Sequence, residues 1–134
     1  MDEFLNKLNS DKIDYHHAFL DDLVYLLNND LRGSKKQFVK QFNRQMVFID
    51  EYPIDYLYQY DSNEILKNIE GFTLYSLHLK GETFNVRFLA TPFESKLLLL
   101  VAFNERSGKA KTGYNTHIPK ALERLKEMEV HNHD

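Results

Sequence analysis

Arg87 stands in Phe84-Asn85-Val86-Arg87-Phe88, where apolar and polar residues alternate. Alternation sends successive side chains to opposite faces of a strand, so Arg87 falls opposite Phe84, Val86 and Phe88. A planar guanidinium on a rigid strand is suited to gripping a phosphate through two parallel bonds. The plain alternative is an arginine on the solvent side of a half-buried sheet. Arg106, Lys109 and Lys111 follow in the polar stretch 104–113. As a group they could hold phosphate or steer a nucleic acid, or form no more than a solvated linker. Tyr114 and His117 are spaced i, i+3 where that stretch meets the next helical pattern. Histidine titrates near neutrality and is a natural proton shuttle. Either residue could serve as general acid or base, and His117 reads equally as a surface histidine at a helix start. Glu105 is a further possible base, with a salt bridge to Arg106 or simple solvent exposure as the expected reading.

Metal chemistry finds little support. His16 and His17 are adjacent and so point different ways on a helix, and His131 and His133 lie in a tail without a rigid frame. No metal site and no cofactor are expected. The chain has no cysteine, which excludes disulfides and thiolate zinc sites. Its N-terminus is acidic and lacks the apolar core of a secretion signal, and its longest apolar run, Leu97 to Phe103, is about a third of a membrane span. A cytoplasmic protein without a membrane segment is the expectation. Net charge is −3, but it is unevenly spread. Residues 1–79 carry 8 Lys and Arg against 13 Asp and Glu, and residues 80–126 carry 9 against 4. The basic C-terminal half is what a phosphate-bearing partner needs, although chance segregation would look the same.

The elements that must position these residues fit a single domain over 134 residues. Phe19, Leu20, Leu23, Val24, Leu27 and Leu31 recur at helical steps and predict a helix from about Ile13 to Leu31, capped by Asp11 and stopped at Gly33. Ser34-Lys35-Lys36-Gln37 has the form of a capping box, and Phe38, Phe42, Met46 and Ile49 continue a second helix until Pro53. No strand is evident ahead of the first helix. Tyr52, Tyr56, Tyr58 and Tyr60 are read as a loop or short turn packed on the core, with base stacking as the alternative. Asp61 and Ser62 suggest a cap for a short helical turn through Leu66 and Ile69. Gly71 breaks the chain. Three strands follow: Phe72–Leu79, Thr83–Thr91 and Lys96–Phe103, the first two joined as a hairpin through Lys80-Gly81-Glu82. A last helix is expected near Asn115 or Thr116, with Pro119 in its first turn, an apolar side of Ile118, Leu122, Leu125 and Met128, and a frayed tail from His131. The fold class is α+β: two N-terminal helices packed on an antiparallel β-meander with a C-terminal helix.

Four segments carry a resemblance. They are Gly71-Phe72-Thr73-Leu74-Tyr75-Ser76-Leu77-His78-Leu79, Phe84-Asn85-Val86-Arg87-Phe88, Leu98-Leu99-Leu100-Val101-Ala102-Phe103, and Ile118-Pro119-Lys120-Ala121-Leu122-Glu123-Arg124-Leu125. In order and spacing they resemble the RelE/ParE superfamily of toxins from type II toxin–antitoxin systems, nearest its HigB-like, phage-derived branch. The resemblance spans about Phe19 to Met128, with its motifs between Gly71 and Lys126. Leu77-His78-Leu79-Lys80 stands where the family often has Leu-Arg, and Phe103-Asn104-Glu105-Arg106 where it has Phe-x-Lys-Lys.

The resemblance implies an endoribonuclease that cleaves messenger RNA without a metal, often on the ribosome, and that a protein antitoxin neutralises. It implies catalytic roles for Arg87, Arg106, Tyr114 and His117, and phosphate contacts from Lys80, Lys109 and Lys111. A second reading of the same fold is a non-catalytic phage or mobile-element protein that binds a host protein, gyrase included.

Overall fold

Leu97 to Phe103 is apolar without interruption because its strand is covered on both faces. The computed structural model describes residues 2–60, 63–69, 71–105 and 110–133. In chain order it has α1 (Asp2–Leu8), β1 (Ile13–Tyr15), α2 (His17–Asn28), α3 (Lys35–Glu51), a 3-10 helix (Ile54–Gln59), β2 (Glu64–Ile69), β3 (Phe72–Lys80), β4 (Asn85–Phe93), β5 (Lys96–Asn104) and α4 (Ala110–His133). The strands form one sheet in the order β1-β5-β4-β3-β2. β2 to β5 make an antiparallel meander, and β1 adds to β5 in parallel. The architecture is α+β, with the N-terminal helices on one face and α4 on the other.

Each face has its own core. On the N-terminal helix side, Phe88 meets Phe19, Phe38 and Phe42 in edge-to-face contacts, with the Phe19 and Phe88 centroids 5.0 Å apart at 85°. On the α4 side, Leu74, Leu89, Leu98 and Phe103 pack against Ala121 and Leu125. A bulge lies where Leu89 pairs with Val101 and Ala90 with Leu99, leaving Leu100 as the extra residue. Leu100 and Val101 consequently both face α4, and Ala102 and Phe103 resume the alternation.

Five expectations are corrected. The helix expected from Ile13 is α2 and starts at His17, because Ile13–Tyr15 pairs with Leu97–Leu99 as a strand, and α1 ahead of it makes three N-terminal helices rather than two. His16 serves both elements: its N–H donates to the Leu99 carbonyl, and its Nδ1 caps α2 by accepting from the Ala18 N–H at 3.0 Å. The capping-box residues do not cap α3. Ser34 Oγ bonds Thr83, and Gln37 accepts from the Glu82 N–H, so both pin the β3–β4 turn. The helical turn expected through Leu66 and Ile69 is instead strand β2, with an irregular register between Ile65 and Lys67; its proposed caps, Asp61 and Ser62, lie outside the described residues. Gly71, at φ 87°, makes the β2–β3 turn that only a residue without Cβ adopts freely. The short turn expected over 52–60 is a 3-10 helix packed on the core through Leu57 and Ile54, but three of that segment's tyrosines, Tyr52, Tyr56 and Tyr58, stay exposed. Finally, α4 begins at Ala110 and runs through His133, so Pro119 sits in its interior. Its buried face is Ile118, Ala121, Leu125 and Met128; Leu122 is displaced to the flank.

β1 is too short to cover all of β5. Beyond Leu99 the open edge is closed by side chains. Asp22 accepts from the Ala102 N–H at 3.1 Å, and Arg124 donates to the Leu100 carbonyl at 2.8 Å and to Asp22 at 2.7 Å. This clasp ties α2 to α4 around the strand edge. Asp22→Ala leaves the Ala102 N–H and part of Arg124 without partners, so we expect a loss of about 2 kcal/mol, with Asp22→Asn losing less. Urea midpoints at unchanged m-value measure this.

Candidate functional site

β3, β4 and α4 create a polar cluster at one end of the α4 face. His78 pairs with Arg87 and Lys80 with Asn85 across β3 and β4, and Arg87 pairs with Phe103 across β4 and β5. Strand alternation therefore puts Ser76, His78, Lys80, Asn85 and Arg87 on one face. That face is roofed by the first turns of α4. Close approach of the helix is possible because Gly113 lies against the Phe103 ring, where a Cβ would come within 2.9 Å of it.

Arg87 is buried, which overturns the picture of an arginine on the solvent side of the sheet. A buried guanidinium needs counter-charge and acceptors, and two carboxylates supply them. Its Nε donates to Glu105 Oε2 at 3.0 Å, and its Nη2 lies 3.3 Å from Glu64 Oε1. The two carboxylates differ: the Glu105 side chain is 9% exposed and the Glu64 side chain 47%. Tyr114 completes the group. Its hydroxyl donates to Glu64 at 3.3 Å and lies 3.0 Å from Ser76 Oγ, while its ring stands 6.0 Å from the Arg87 guanidinium carbon. Burial pushes the Tyr114 phenol above its ordinary value, against the smaller opposing pulls of Ser76 and Arg87. The phenol is a proton donor at neutral pH. Beside it, His78 Nε2 bonds the Asn85 amide oxygen, and the His78 backbone N–H donates to the buried Asn63.

The sequence candidates divide. Arg87 and Tyr114 meet through Glu64. Lys80 is exposed at the end of β3 on the same face, two residues beyond His78. His117 goes elsewhere: it stacks on Phe103 at 4.2 Å and 15°, among Asp22, Lys120 and Arg124. Tyr114 instead meets the edge of Phe103, at 6.1 Å and 86°. Burial, then Lys120, lowers the His117 pKa, and its buried Nδ1 has no hydrogen-bond partner among the described residues. Arg106 and Lys109 lie outside the described residues; Lys111 is in the first turn of α4. Glu105, expected to pair with Arg106 or face solvent, pairs with Arg87 under cover. Glu64, Ser76, His78 and Asn85 were not among the candidates. Ser76 and His78 have a signal in the sequence, a strand from Leu74 to Leu79 with polar residues at every second position among apolar ones; Glu64 and Asn85 lie outside it.

Among the described residues no three His, Asp or Glu side chains converge to hold a metal ion, and no helix is long and apolar enough to cross a membrane. No protein-family model, curated protein or solved structure matches the chain.

Arg87→Ala strands Glu105 under α4 without its cation and should cost about 3 kcal/mol, whereas Glu64→Gln, half in water, should cost about 1 kcal/mol or less. Chemical denaturation of both variants tests the difference. His117 gives a pH prediction. Its folded pKa lies below the ordinary 6.5, so the unfolded chain takes up the proton first as pH falls. Its contribution is complete above that value and is lost on acidification. Wild type should lose stability relative to His117→Phe as pH falls through about 6.5, read from urea midpoints.

Proposed function

We propose that this chain is a toxin of the RelE/HigB type, cytoplasmic and held in check by a protein antitoxin, and that the Arg87 cluster cleaves messenger RNA. One observation carries the reading: the expected phosphate clamp, Arg87, and the expected proton donor, Tyr114, share one carboxylate, Glu64, on a rigid sheet. The residues suit metal-independent transesterification. Glu64 is the exchangeable ligand of Arg87, being exposed and at the longer distance, while Glu105 fixes Nε from behind. A scissile phosphate takes the place of Glu64 on the guanidinium. Glu64 then accepts the proton of the ribose 2′-hydroxyl as its oxygen bonds to phosphorus. The bond from phosphorus to the 5′-oxygen breaks, and Tyr114 gives that oxygen a proton. The products are a 2′,3′-cyclic phosphate and a 5′-hydroxyl. Lys80 and the basic segment containing Arg106, Lys109 and Lys111 steer the RNA, alone or on the ribosome, and the antitoxin lays acidic or apolar segments over this face. His117, away from the cluster, has no part in the step.

The second reading, a non-catalytic protein of this fold that binds a host protein such as gyrase, is favoured by one feature: Arg87 is 9% exposed and already neutralised by two carboxylates.

Expression without a partner should arrest growth, and Arg87→Ala should relieve the arrest. Purified protein, with and without ribosomes, should yield cyclic-phosphate ends on messenger RNA, and Glu64→Gln and Tyr114→Phe should each slow cleavage by about 10²-fold or more. Folded wild-type protein that arrests growth without cutting RNA selects the second reading, and unimpaired growth defeats both.

A further inference from the structure

The solvent face of α3 contributes to neither core nor to the Arg87 cluster, yet its cations and rings are ordered along one line. Lys36, Lys40 and Arg44 recur every four residues and so form one stripe. All three are exposed, and none makes an ion pair with another described residue. The stripe leads into a groove of about 650 Å³, walled by the rings of Phe48, Tyr52 and Tyr60 and lined also by Lys40, Arg44 and one carboxylate, Glu51. Phe48 stacks on Tyr52 at 4.5 Å and 25°, and on Tyr60 at 4.7 Å and 32°. Tyr52 is 45% exposed, and Tyr56 and Tyr58 on the adjoining 3-10 helix are each 46% exposed. From Lys36 to Tyr52 the track is about 24 Å long at the helical rise.

Phe48 anchors the stack by packing against the core, while nearly half of Tyr52 stands in water on top of it. Cations in line with such a stack meet two separate requirements of one ligand class: phosphates along a backbone, and π faces for unpaired bases. A duplex hides its base faces and leaves the rings unused. A peptide with acidic side chains satisfies the cations but not the flat stack. We propose that the outer face of α3, with Tyr52 and Tyr60, binds a short tract of single-stranded nucleic acid, its phosphates on Lys36, Lys40 and Arg44 and a base on the Tyr52 stack. The site is on the opposite side of the sheet from Arg87 and does not depend on that cluster being catalytic.

A fluorescent ten-nucleotide uridine strand with 2′-O-methyl groups cannot be cleaved through its 2′-oxygen, so its anisotropy reports binding alone. The Lys40→Glu/Arg44→Glu double variant, both positions exposed, should bind at least tenfold more weakly. Tyr52→Ala should bind at least fivefold more weakly. The logarithm of affinity should fall with that of salt at a slope of roughly −2, for three phosphates. The chain has no tryptophan, so a Tyr52→Trp variant has one indole, which the bound strand should quench. Circular dichroism matching wild type confirms that each variant is folded. A thymidine strand of equal length shows whether the sugar is read; tighter binding of either strand than of duplex supports the site. Undiminished binding by the double variant, an unquenched indole at saturation, equal affinity for duplex, absence of binding, or quenching by an acidic peptide but not by the strand each overturns the proposal.

Discussion

The polar end of the α4 side follows from placing a permanently charged guanidinium inside a two-sided sheet. Arg87 cannot shed its proton, so burial commits the fold to supplying carboxylates. One comes from the end of β5, where Glu105 follows directly on the strand, and one from the edge strand β2. Glu64 in turn fixes the Tyr114 hydroxyl, which helps set where the first turns of α4 rest. The arginine thereby draws together the two ends of the meander and the helix above them.

Much of the frame was legible because it repeats. The helix α3, the hairpin of β3 and β4, the apolar β5 and the segregation of Phe84, Val86 and Phe88 from Arg87 all follow from periods of 3.6 and 2. What escaped was decided by partners distant in sequence. Ile13–Tyr15 is a strand because β5 has an edge to fill. Residues 64–69 are a strand because β3 does, although Leu66 and Ile69 are spaced like a helix turn. Ser34 and Gln37 had the form of a capping box, but the β3–β4 turn offered them other partners.

The cluster was half legible for the same reason. Arg87 and Tyr114 stand out by type and setting, whereas Glu64 and Glu105 are ordinary acidic residues until the register brings both to one guanidinium. His117 shows the opposite failure. Its spacing from Tyr114 suggested a shared site, but the Phe103 ring lies against both and directs the imidazole toward Asp22 and Lys120.

The clasp of Asp22 and Arg124 has a consequence for how α4 leaves the sheet. The same arginine that holds the helix to α2 also satisfies the Leu100 carbonyl, and its partner satisfies the Ala102 N–H. Peeling α4 away therefore does more than uncover Leu98 and Phe103. It also leaves the Leu100 carbonyl on the β5 edge without its donor, and takes from Asp22 the cation that helps hold it on the Ala102 N–H. The C-terminal helix thus guards an edge of the sheet as well as a face, and one side chain, Arg124, does the guarding.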